Sequence, residues 1–368
     1  MKVLFLTNVP SPYRVDFFNE LGKMCELTVL FEKRTSDERD SSWKKFKFEN
    51  FNGIFLNGKK IGVDNAICLE VVRYLKKNFY DYIIISDFLD PTGMIAIEYM
   101  RLKRIPYWLE SDGGIAKNGK GFSEKVKKYF ISGAAGYFST SEVHDKYYIE
   151  YGADKKRIHR YPFTSYKKLD LPSHVPSAEE RNRIKAKHGM KDEFVVLSVG
   201  RFSYLNGYGK GYDTLMRVAE RLREVRFCIV GDTPTTEFSE WKKNKNLDNV
   251  TFVGFKSKEE LKEYYLAADL FVLMTVSDVW GLVINEAMMY GLPIITTNMC
   301  VAGTELVRSK ENGFIVPVGD DHSLEERIKL FLNEPELLNA YGEISYKKIQ
   351  NYTIESMALE HMKVFEGE

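Results

Sequence analysis

The feature that most constrains the fold is an alternation of short apolar runs with amphipathic stretches, which occurs twice along the chain. The apolar runs predict strands at residues 3–6, 27–31, 82–85, 106–109 and 136–139, and then at 194–199, 227–230, 251–253, 270–274, 293–296 and 314–316. The amphipathic stretches predict helices that include residues 67–77, 213–224, 259–267 and 324–332. Continuous apolar strands separated by helices are typical of parallel sheets covered on both faces. We therefore predict an α/β protein with two doubly wound domains that face a central cleft.

The length of 368 residues also favours two domains, because a single hydrophobic core stops growing at about 250–300 residues. A polar segment with Pro172 and Pro176, "SYKKLDLPSHVPSAEERNRIKAKHGMKD", separates the two halves and is typical of a linker. We predict a first domain at residues 1–170 and a second at residues 171–350. Ligands of such sheets bind outside the carboxyl ends of the strands, so the loops there are the candidate functional segments.

Charge, cysteine content and hydropathy exclude several classes of protein. The net charge of +1 gives no overall case for nucleic-acid binding. The four cysteines are scattered and form no Cys/His cluster, so we expect neither disulfides nor zinc, and a reducing compartment. The amino-terminal apolar run is too short for a signal peptide, and no run is long enough to span a membrane. We therefore expect a cytoplasmic protein.

The loop after the first predicted strand, "TNVPSPYRVDFF", has the pattern of a helix start. Ser11 is a candidate N-cap and Pro12 a candidate first helical residue. The helix amino terminus would then favour an anion, and Arg14 lies in its first turn. A cap followed by a surface arginine explains the same pattern equally well.

The loop after strand 194–199, "SVGRFSYLNGYGKGYDTL", is rich in glycine and contains Arg201 and Lys210. Its glycine spacing fits neither a P-loop nor a dinucleotide fingerprint. Glycines allow close backbone approach, while an arginine and a lysine offer a bidentate fork and a point charge. This combination suits a diphosphate held without a metal, although solvated loop charges are the commoner explanation of such a pattern.

A third loop lies in "VSDVWGLVINEAMMYGLPII", where Asp278 precedes a predicted helix that begins near Gly281 and carries Glu286. At about 1.5 Å per residue the two acids are on the order of 10 Å apart, whereas a retaining glycosidase pair needs about 5 Å. They could instead flank one extended ligand, with the helix amides near Gly281 and Leu282 directed at a phosphate. A nucleotide sugar has this arrangement of ribose diol, diphosphate and hexose hydroxyls. Two surface acids near a helix start are the simpler alternative.

Taken together, "VGR…GKGYDTL", "VTFVGF", "AADLFVLMTVSDVWGLVINEAMMYGLPIITT" and "ENGFIVPVGD" resemble the carboxyl-terminal domain of family 4 retaining glycosyltransferases, which have the GT-B fold. The resemblance covers residues 194–320 most strongly, and "NVPSPYRVDFF" is similar to the start of bacterial capsule and exopolysaccharide members. The specific motif is E-x7-E, here with aspartate at its first position. The resemblance implies catalytic and donor-binding roles, with Arg201 and Lys210 on the diphosphate, Glu286 on the ribose and Asp278 on the sugar. It also implies a donor-binding surface that includes Trp280, Gly281, Leu282 and Phe255.

The resemblance assigns acceptor binding to the first domain and donor binding to the second, and it implies that a helix at about residues 351–368 returns to the first domain. The family often places a histidine in the loop that here reads "YWLESDGG", where Glu110 and Asp112 are the nearest candidates. With Arg14 they form the predicted acceptor side. Asp87 and Asp90, in "ISDFLDPTG", are further candidates, and each of these four acids fits polar lining better than catalysis. The six histidines lie outside these loops, and we expect them to be structural or solvated.

The resemblance predicts a retaining, metal-independent hexosyltransferase without a cofactor. Its donor would be a nucleotide-diphosphate sugar, with UDP favoured over GDP, and its acceptor a surface polysaccharide or lipid-linked glycan. A nucleotide-sugar epimerase of the same fold and a non-catalytic nucleotide-sugar binding protein are the alternatives. The basic, aromatic stretch from Lys117 and Lys120 to Lys128 suits peripheral contact with the cytoplasmic face of the membrane, or else a helix packed on its own sheet.

Overall fold

The computed structural model describes residues 1–34, 47–61, 65–116, 119 and 121–367. The chain divides into two compact units. Unit 1 comprises Met1–Asp170 together with Asn351–Glu368, and unit 2 comprises Leu171–Gln350. Within the described residues, no helix is both long and apolar enough to cross a membrane.

Unit 1 is built on a parallel sheet of seven described strands. They are β1 (Lys2–Thr7), β2 (Glu26–Phe31), β3 (Asn52–Phe55), β6 (Tyr82–Ile85), β7 (Trp108–Glu110), β8 (Gly136–Ser139) and β9 (Ile158–Arg160). Two further strands, β4 (Lys59–Ile61) and β5 (Asn65–Ile67), form a separate antiparallel pair. The sheet has the order β3-β2-β1-β6-β7-β8-β9 with parallel neighbours throughout. The strand order therefore reverses between β1 and β6, where crossovers leave a crevice at the carboxyl edge.

The helices of unit 1 cover this sheet. They are α1 (Pro12–Leu21), α2 (Pro91–Lys103), α3 (Phe122–Ile131) and α4 (Glu142–Glu150). The predicted cap residues Ser11 and Pro12 lie directly at the start of α1. The sheet is buried because both of its faces are apolar, with Leu4, Ile85 and Leu109 fully enclosed.

Unit 2 repeats the plan. Its strands are β10 (Phe194–Val199), β11 (Val225–Val230), β12 (Val250–Gly254), β13 (Leu270–Leu273), β14 (Ile294–Thr297) and β15 (Gly313–Val316), in the order β12-β11-β10-β13-β14-β15 with parallel pairing. Its helices are α5 (Ala178–Lys187), α6 (Tyr212–Arg221), α7 (Thr236–Asn244), α8 (Lys258–Ala267), α9 (Leu282–Met289), α10 (Val301–Leu306), α11 (Asp321–Asn333) and α12 (Glu336–Ile349). Here the strand order reverses between β10 and β13.

The last helix, α13 (Ile354–Glu366), belongs to unit 1. Thr353 caps it by accepting a hydrogen bond from the Ser356 amide at 3.2 Å. Its apolar face packs on α1, where the rings of Phe17 and His361 are 4.8 Å apart. The apolar residues of α13 recur with the helical period, so they form one face that can pack against α1.

The predicted pair of doubly wound parallel-sheet domains is confirmed. The helix predicted at residues 67–77 is wrong, since β5 extends to Ile67 and only a short 3₁₀ turn, Leu69–Arg73, follows. Consecutive β-branched residues, Val71 and Val72, disfavour a longer helix there. Strands β3, β4, β5 and β9 escape the sequence analysis because they are short and partly exposed, so their apolar runs are weak.

A buried pair of carboxyl groups lies between β2 and the start of α2. Glu32 accepts a hydrogen bond from the Ala66 amide at 3.0 Å, and Asp90 caps α2 by accepting one from the Gly93 amide at 2.6 Å. In the part of the chain that the structure describes, Glu32 Oε1 and Asp90 Oδ2 have no other hydrogen-bond partner. The two groups interact, and burial followed by the hydrogen bond to Asp90 raises the pKa of Glu32 to about 10. We therefore expect one proton to be shared between Glu32 and Asp90.

This pair predicts that the protein loses stability in alkali. The unfolded chain releases the Glu32 proton near the ordinary pKa of about 4.3, whereas the folded chain keeps it up to about pH 10. Stability should therefore fall as pH rises between these limits, by about 1 kcal/mol per pH unit. In Glu32→Gln the amide can donate to Asp90 at any pH, so its unfolding free energy should fall less between pH 6 and pH 9. Urea denaturation measures both slopes, with Glu150→Gln on exposed α4 as control, and equal slopes in wild type and Glu32→Gln would refute the shared proton.

Candidate functional site

The candidate site of unit 2 lies at the carboxyl edge of β10 and β13, where the strand order reverses. The loop from Gly200 to Gly211 follows β10, and the loop from Met274 to Gly281 follows β13. Hydrogen bonds join the two loops, including one from the Val276 amide to the Gly209 carbonyl at 3.1 Å. The glycine-rich loop and the acidic loop that the sequence predicts are therefore neighbours in space.

Gly211 permits this contact between the loops. Its φ is +71°, and a Cβ atom added there would lie 2.1 Å from the backbone oxygen of Met274. Only glycine tolerates both the left-handed backbone and this approach. As a result α6 begins directly beside the end of β13, and the side chain of Lys210 is directed at the second loop.

The rest of the glycine-rich loop is folded rather than extended. Leu205, Asn206 and Gly207 all have positive φ values, of +48°, +55° and +91°. The start of the loop is fixed by Asp232, which accepts hydrogen bonds from the amides of Phe202 and Ser203. Asp232 is not among the predicted site residues, although its position directly after β11, at the same sheet edge, is a usable signal.

Lys210 and Asp278 form an ion pair. The Nζ atom of Lys210 lies 2.6 Å from Asp278 Oδ2, and each side chain is only 17% exposed. The backbone of Asp278 is fixed on both sides, because its amide donates to the Met299 carbonyl at 2.9 Å and its carbonyl accepts from the Val301 amide at 3.2 Å. The structure thus brings together the two residues that the sequence assigns to neighbouring parts of one ligand.

Gly281 begins helix α9 in a conformation that requires glycine. Its φ is +100°, and a Cβ atom there would lie 2.7 Å from the Sγ atom of Cys300 and 3.7 Å from Cγ of Asp278. The first amides of a helix have no partner within it, and the helix dipole makes this end positive. The start of α9 at Leu282 therefore lies next to Asp278 and favours an anion.

Glu286 lies on the second turn of α9 and is held by a residue that the sequence analysis missed. The hydroxyl of Tyr265 donates to its carboxylate at 2.7 Å. Burial raises the pKa of Glu286, which the Tyr265 hydrogen bond opposes. No sequence signal connects Tyr265 to Glu286, because the contact joins α8 to α9 through the fold.

The other predicted donor-binding residues fall into two groups. Arg201 and Phe255 are exposed at the same carboxyl edge, the latter by 65% after Gly254 of β12. Trp280 is also predicted to bind the donor, and its ring is 2% exposed with the Nε1 atom donating to Asn285 at 2.9 Å, so its donor-binding role stays a prediction. The large apolar surface of the Trp280 ring favours burial, so the ring anchors the Met274–Gly281 loop to the core of unit 2.

In unit 1 the predicted acceptor-side residues form a buried network. Arg14 contacts Glu110 through one guanidinium nitrogen and lies 2.5 Å from Asp112 through the other. Burial alone would raise the pKa of Glu110, but Arg14 and His361 lower it to about 2. Both Arg14 and Glu110 are almost completely enclosed, whereas Asp112 is partly exposed. The charges of Arg14 and Glu110 satisfy each other inside the unit, and the acceptor-side role of Arg14, Glu110 and Asp112 stays a prediction.

His361 of α13 completes this network. Its Nε2 atom lies 3.3 Å from Glu110, and its Nδ1 atom lies 2.8 Å from the Met357 carbonyl. Both ring nitrogens therefore contact acceptor oxygens, which hold the ring in place inside the unit. The buried position agrees with the prediction that the histidines are structural or solvated.

Asp87 lies at the reversal point of the unit 1 sheet and joins the two loops there. It accepts hydrogen bonds from the Asn8 amide at 2.9 Å and from the Thr7 hydroxyl at 3.2 Å. Burial and the nearby charge of Asp90 raise the pKa of Asp87 to about 7. Asp87 and Asp90 are therefore bound to neighbouring backbone, as polar lining would be.

The unit 2 site can bind an anion beside hydroxyl groups. Lys210 and the start of α9 supply positive charge, while Asp278 and Glu286 supply acceptors on either side of the helix start. Among the described residues, no group of three or more His, Cys, Asp or Glu side chains could hold a metal ion.

This fold is that of the GT-B glycosyltransferases. The protein HepE from Anabaena, solved in complex with UDP, superposes over 100% of both chains with a TM-score of 0.79 and 17% identity. That likeness concerns the fold alone.

A family model matches most of unit 2. Residues 180–348 match the model of the family "Glycosyl transferases group 1". A sulfoquinovosyl transferase from Arabidopsis thaliana is 28% identical over 172 residues, which are 46% of this chain and 32% of the relative. A capsular polysaccharide biosynthesis glycosyltransferase from Staphylococcus aureus is 26% identical over 175 residues, 47% and 46% of the two chains. The matches span 32 to 49% of the length of the first curated relatives. The predicted resemblance to glycosyltransferases is confirmed.

Proposed function

We propose that the protein is a retaining hexosyltransferase that uses a nucleotide-diphosphate sugar, with UDP favoured over GDP. The observation that carries this proposal is the ion pair of Lys210 and Asp278 beside the start of α9, with Glu286 on the same helix. A diphosphate would bind Lys210, Arg201 and the α9 amides, the ribose would bind Glu286, and the hexose would bind Asp278. The Anabaena structure with bound UDP supports the choice of base.

The proposed reaction is a transfer without a covalent enzyme intermediate. The bond from the anomeric carbon to the phosphate oxygen breaks, and the acceptor oxygen attacks from the face that the phosphate leaves. The leaving phosphate takes the acceptor proton. Lys210, Arg201 and the α9 dipole stabilise the negative charge that develops on the diphosphate, which is the kind of electrostatic effect that dominates many enzymes. The proposal requires no metal and no cofactor.

A donor screen tests the proposal. UDP, GDP, ADP, dTDP and their glucose derivatives are compared by thermal shift, because binding at a hundredfold excess over Kd stabilises a protein by about 2.7 kcal/mol. The selected donor is then incubated with and without a glycan acceptor, in EDTA, and the product is analysed by proton NMR. We expect turnover in EDTA and an α product from an α donor. A β product would exclude retention, and rapid isomerisation of the donor alone would favour the epimerase.

We propose as acceptor a surface polysaccharide or lipid-linked glycan, reached by unit 1 at the membrane surface. Helix α3 supports this, because Phe122 and Tyr129 are 82% and 50% exposed while Lys125 and Lys128 face solvent beside them. Lys117 and Lys120, predicted to extend this surface, lie outside the described residues. Exposed aromatic and basic side chains on one helix suit an anionic lipid surface.

Vesicle sedimentation tests this surface. The wild type should bind vesicles that contain 30% anionic lipid about thirtyfold more tightly than a Lys125→Glu, Lys128→Glu variant, since each of the two basic residues adds about 1 kcal/mol near such a surface. Lys103→Glu on α2, which reverses one charge outside this surface, serves as the control. Equal binding of all three proteins, or equal binding to neutral vesicles, would refute membrane contact through α3.

A further inference from the structure

The ion pair of Lys210 and Asp278 raises a conflict between the roles proposed for its two members. Lys210 is assigned to the diphosphate and Asp278 to the hexose, yet each binds the other at 2.6 Å. A diphosphate oxygen and the Asp278 carboxylate are competing anions for the same ammonium group. Donor binding must therefore exchange one anion for the other.

The geometry determines which partner moves. Asp278 has a short side chain, and two backbone hydrogen bonds to Met299 and Val301 fix its position. Lys210 has a flexible stem of four carbons, so its ammonium group can turn toward a phosphate. Asp278 would then remain in place without Lys210, although its side chain is only 17% exposed. A largely enclosed carboxylate that loses its partner is unfavourable unless another donor replaces it.

The two ligands of the proposed reaction differ in whether they supply that donor. An intact nucleotide sugar carries hexose hydroxyls, which can donate to Asp278 when Lys210 leaves it. The nucleoside diphosphate product carries the same charged groups but has no hexose. The cost of separating Lys210 from Asp278 is therefore offset for the substrate and not for the product.

We infer that Asp278 is a specificity-determining residue that makes the site prefer the intact nucleotide sugar over the nucleoside diphosphate product, by competing with the diphosphate for Lys210. This inference rests on the proposed function and deepens it. It assigns Asp278 two consecutive partners, Lys210 in the free protein and the sugar in the donor complex. After transfer, the Asp278 carboxylate pairs with Lys210 again, which weakens the binding of the nucleoside diphosphate product.

Isothermal titration with UDP and UDP-glucose, or with the equivalent pair selected by the donor screen, tests the inference on wild type and Asp278→Asn. The amide keeps an oxygen near the Trp280 amide, which lies 3.4 Å from Asp278 Oδ1 in the wild type. Without the competing charge, UDP should bind Asp278→Asn about three- to tenfold more tightly, as expected for loss of a modest ion pair. UDP-glucose should bind no more tightly than to wild type, because a contact to the hexose is lost as well.

Tighter binding of UDP without tighter binding of UDP-glucose distinguishes the exchange of Lys210 between Asp278 and the diphosphate from a general repulsion of anions by Asp278. Asp213→Asn, which removes an acid paired with Arg217 in the first turn of α6, is the matched control and should leave the ratio of the two affinities unchanged. Equal tightening of both ligands by Asp278→Asn would reduce the role of Asp278 to general repulsion and overturn the inference, and so would unchanged affinities. Asp278→Ala provides a second carboxylate-free variant if Asp278→Asn fails to fold. No binding of any nucleotide by the wild type would overturn the proposed function itself.

Discussion

Replacing Lys210 with Met is expected to remove nearly all glycosyl transfer while leaving unit 2 folded. A charge-assisted contact contributes about 1.5–3 kcal/mol, so nucleoside diphosphate binding should weaken by roughly ten- to a hundredfold. The effect on turnover should be larger, about 10²–10³-fold in kcat, because negative charge on the diphosphate increases in the transition state. The start of α9 and Arg201 would account for the activity that remains. Steady-state kinetics with the donor from the screen give kcat and KM separately.

The matched control is Lys187→Met on α5, which removes an exposed lysine that pairs with Glu263. An exposed pair contributes at most about 1 kcal/mol, and Lys187 lies outside the candidate site, so kcat should not change. A Lys210→Met enzyme with wild-type kcat would show that the diphosphate binds elsewhere. Loss of cooperative unfolding in this variant would instead show that Lys210 is needed for the fold.

Replacing Arg14 with Met should destabilise unit 1 by about 3–5 kcal/mol, since breaking a buried ion pair leaves charge without a partner. Arg14 is enclosed between Glu110 and Asp112, and Glu110 is fully buried. The variant leaves the carboxylates of Glu110 and Asp112 without the guanidinium group that contacts both of them. Urea denaturation followed by fluorescence measures the loss.

Two further variants identify the origin of that loss. Arg14→Met combined with Glu110→Gln should recover part of the stability, because the unpaired charge is removed together with its partner. Lys146→Met, which breaks an exposed ion pair with Glu142, should cost less than about 1 kcal/mol. If Arg14→Met is as mild as Lys146→Met but lowers affinity for the acceptor, the structural role of Arg14 would be refuted and the predicted acceptor-side role supported.

The fold could be predicted from the sequence because its signal is repeated and local. Strands such as Tyr82–Ile85, Gly136–Ser139 and Phe194–Val199 have the predicted bounds, since a strand buried on both faces is apolar at most of its positions. The short strands of unit 1 carry no such signal. Residues 67–77 show the opposite error, where an amphipathic period was present but β5 and a 3₁₀ turn formed instead.

The candidate donor site was predicted in its composition but not in its contacts. The residues Lys210, Asp278, Gly281 and Glu286 all follow from loops at the carboxyl ends of strands. Their pairing does not, because Lys210 and Asp278 are 68 positions apart and meet only where β10 lies beside β13. Tyr265 and Asp232 were missed for the same reason, since each binds its partner across neighbouring elements.

The sequence by itself determined the two parallel-sheet domains, the loops that carry the candidate site and the glycines that those loops require. These properties depend on local periodicity and on backbone conformations that one residue type permits. Only the tertiary structure decided which charges are paired and which are enclosed. It placed Arg14, Glu110 and His361 in one buried network and Lys210 against Asp278, because burial and ion pairing depend on neighbours that the chain supplies from distant positions.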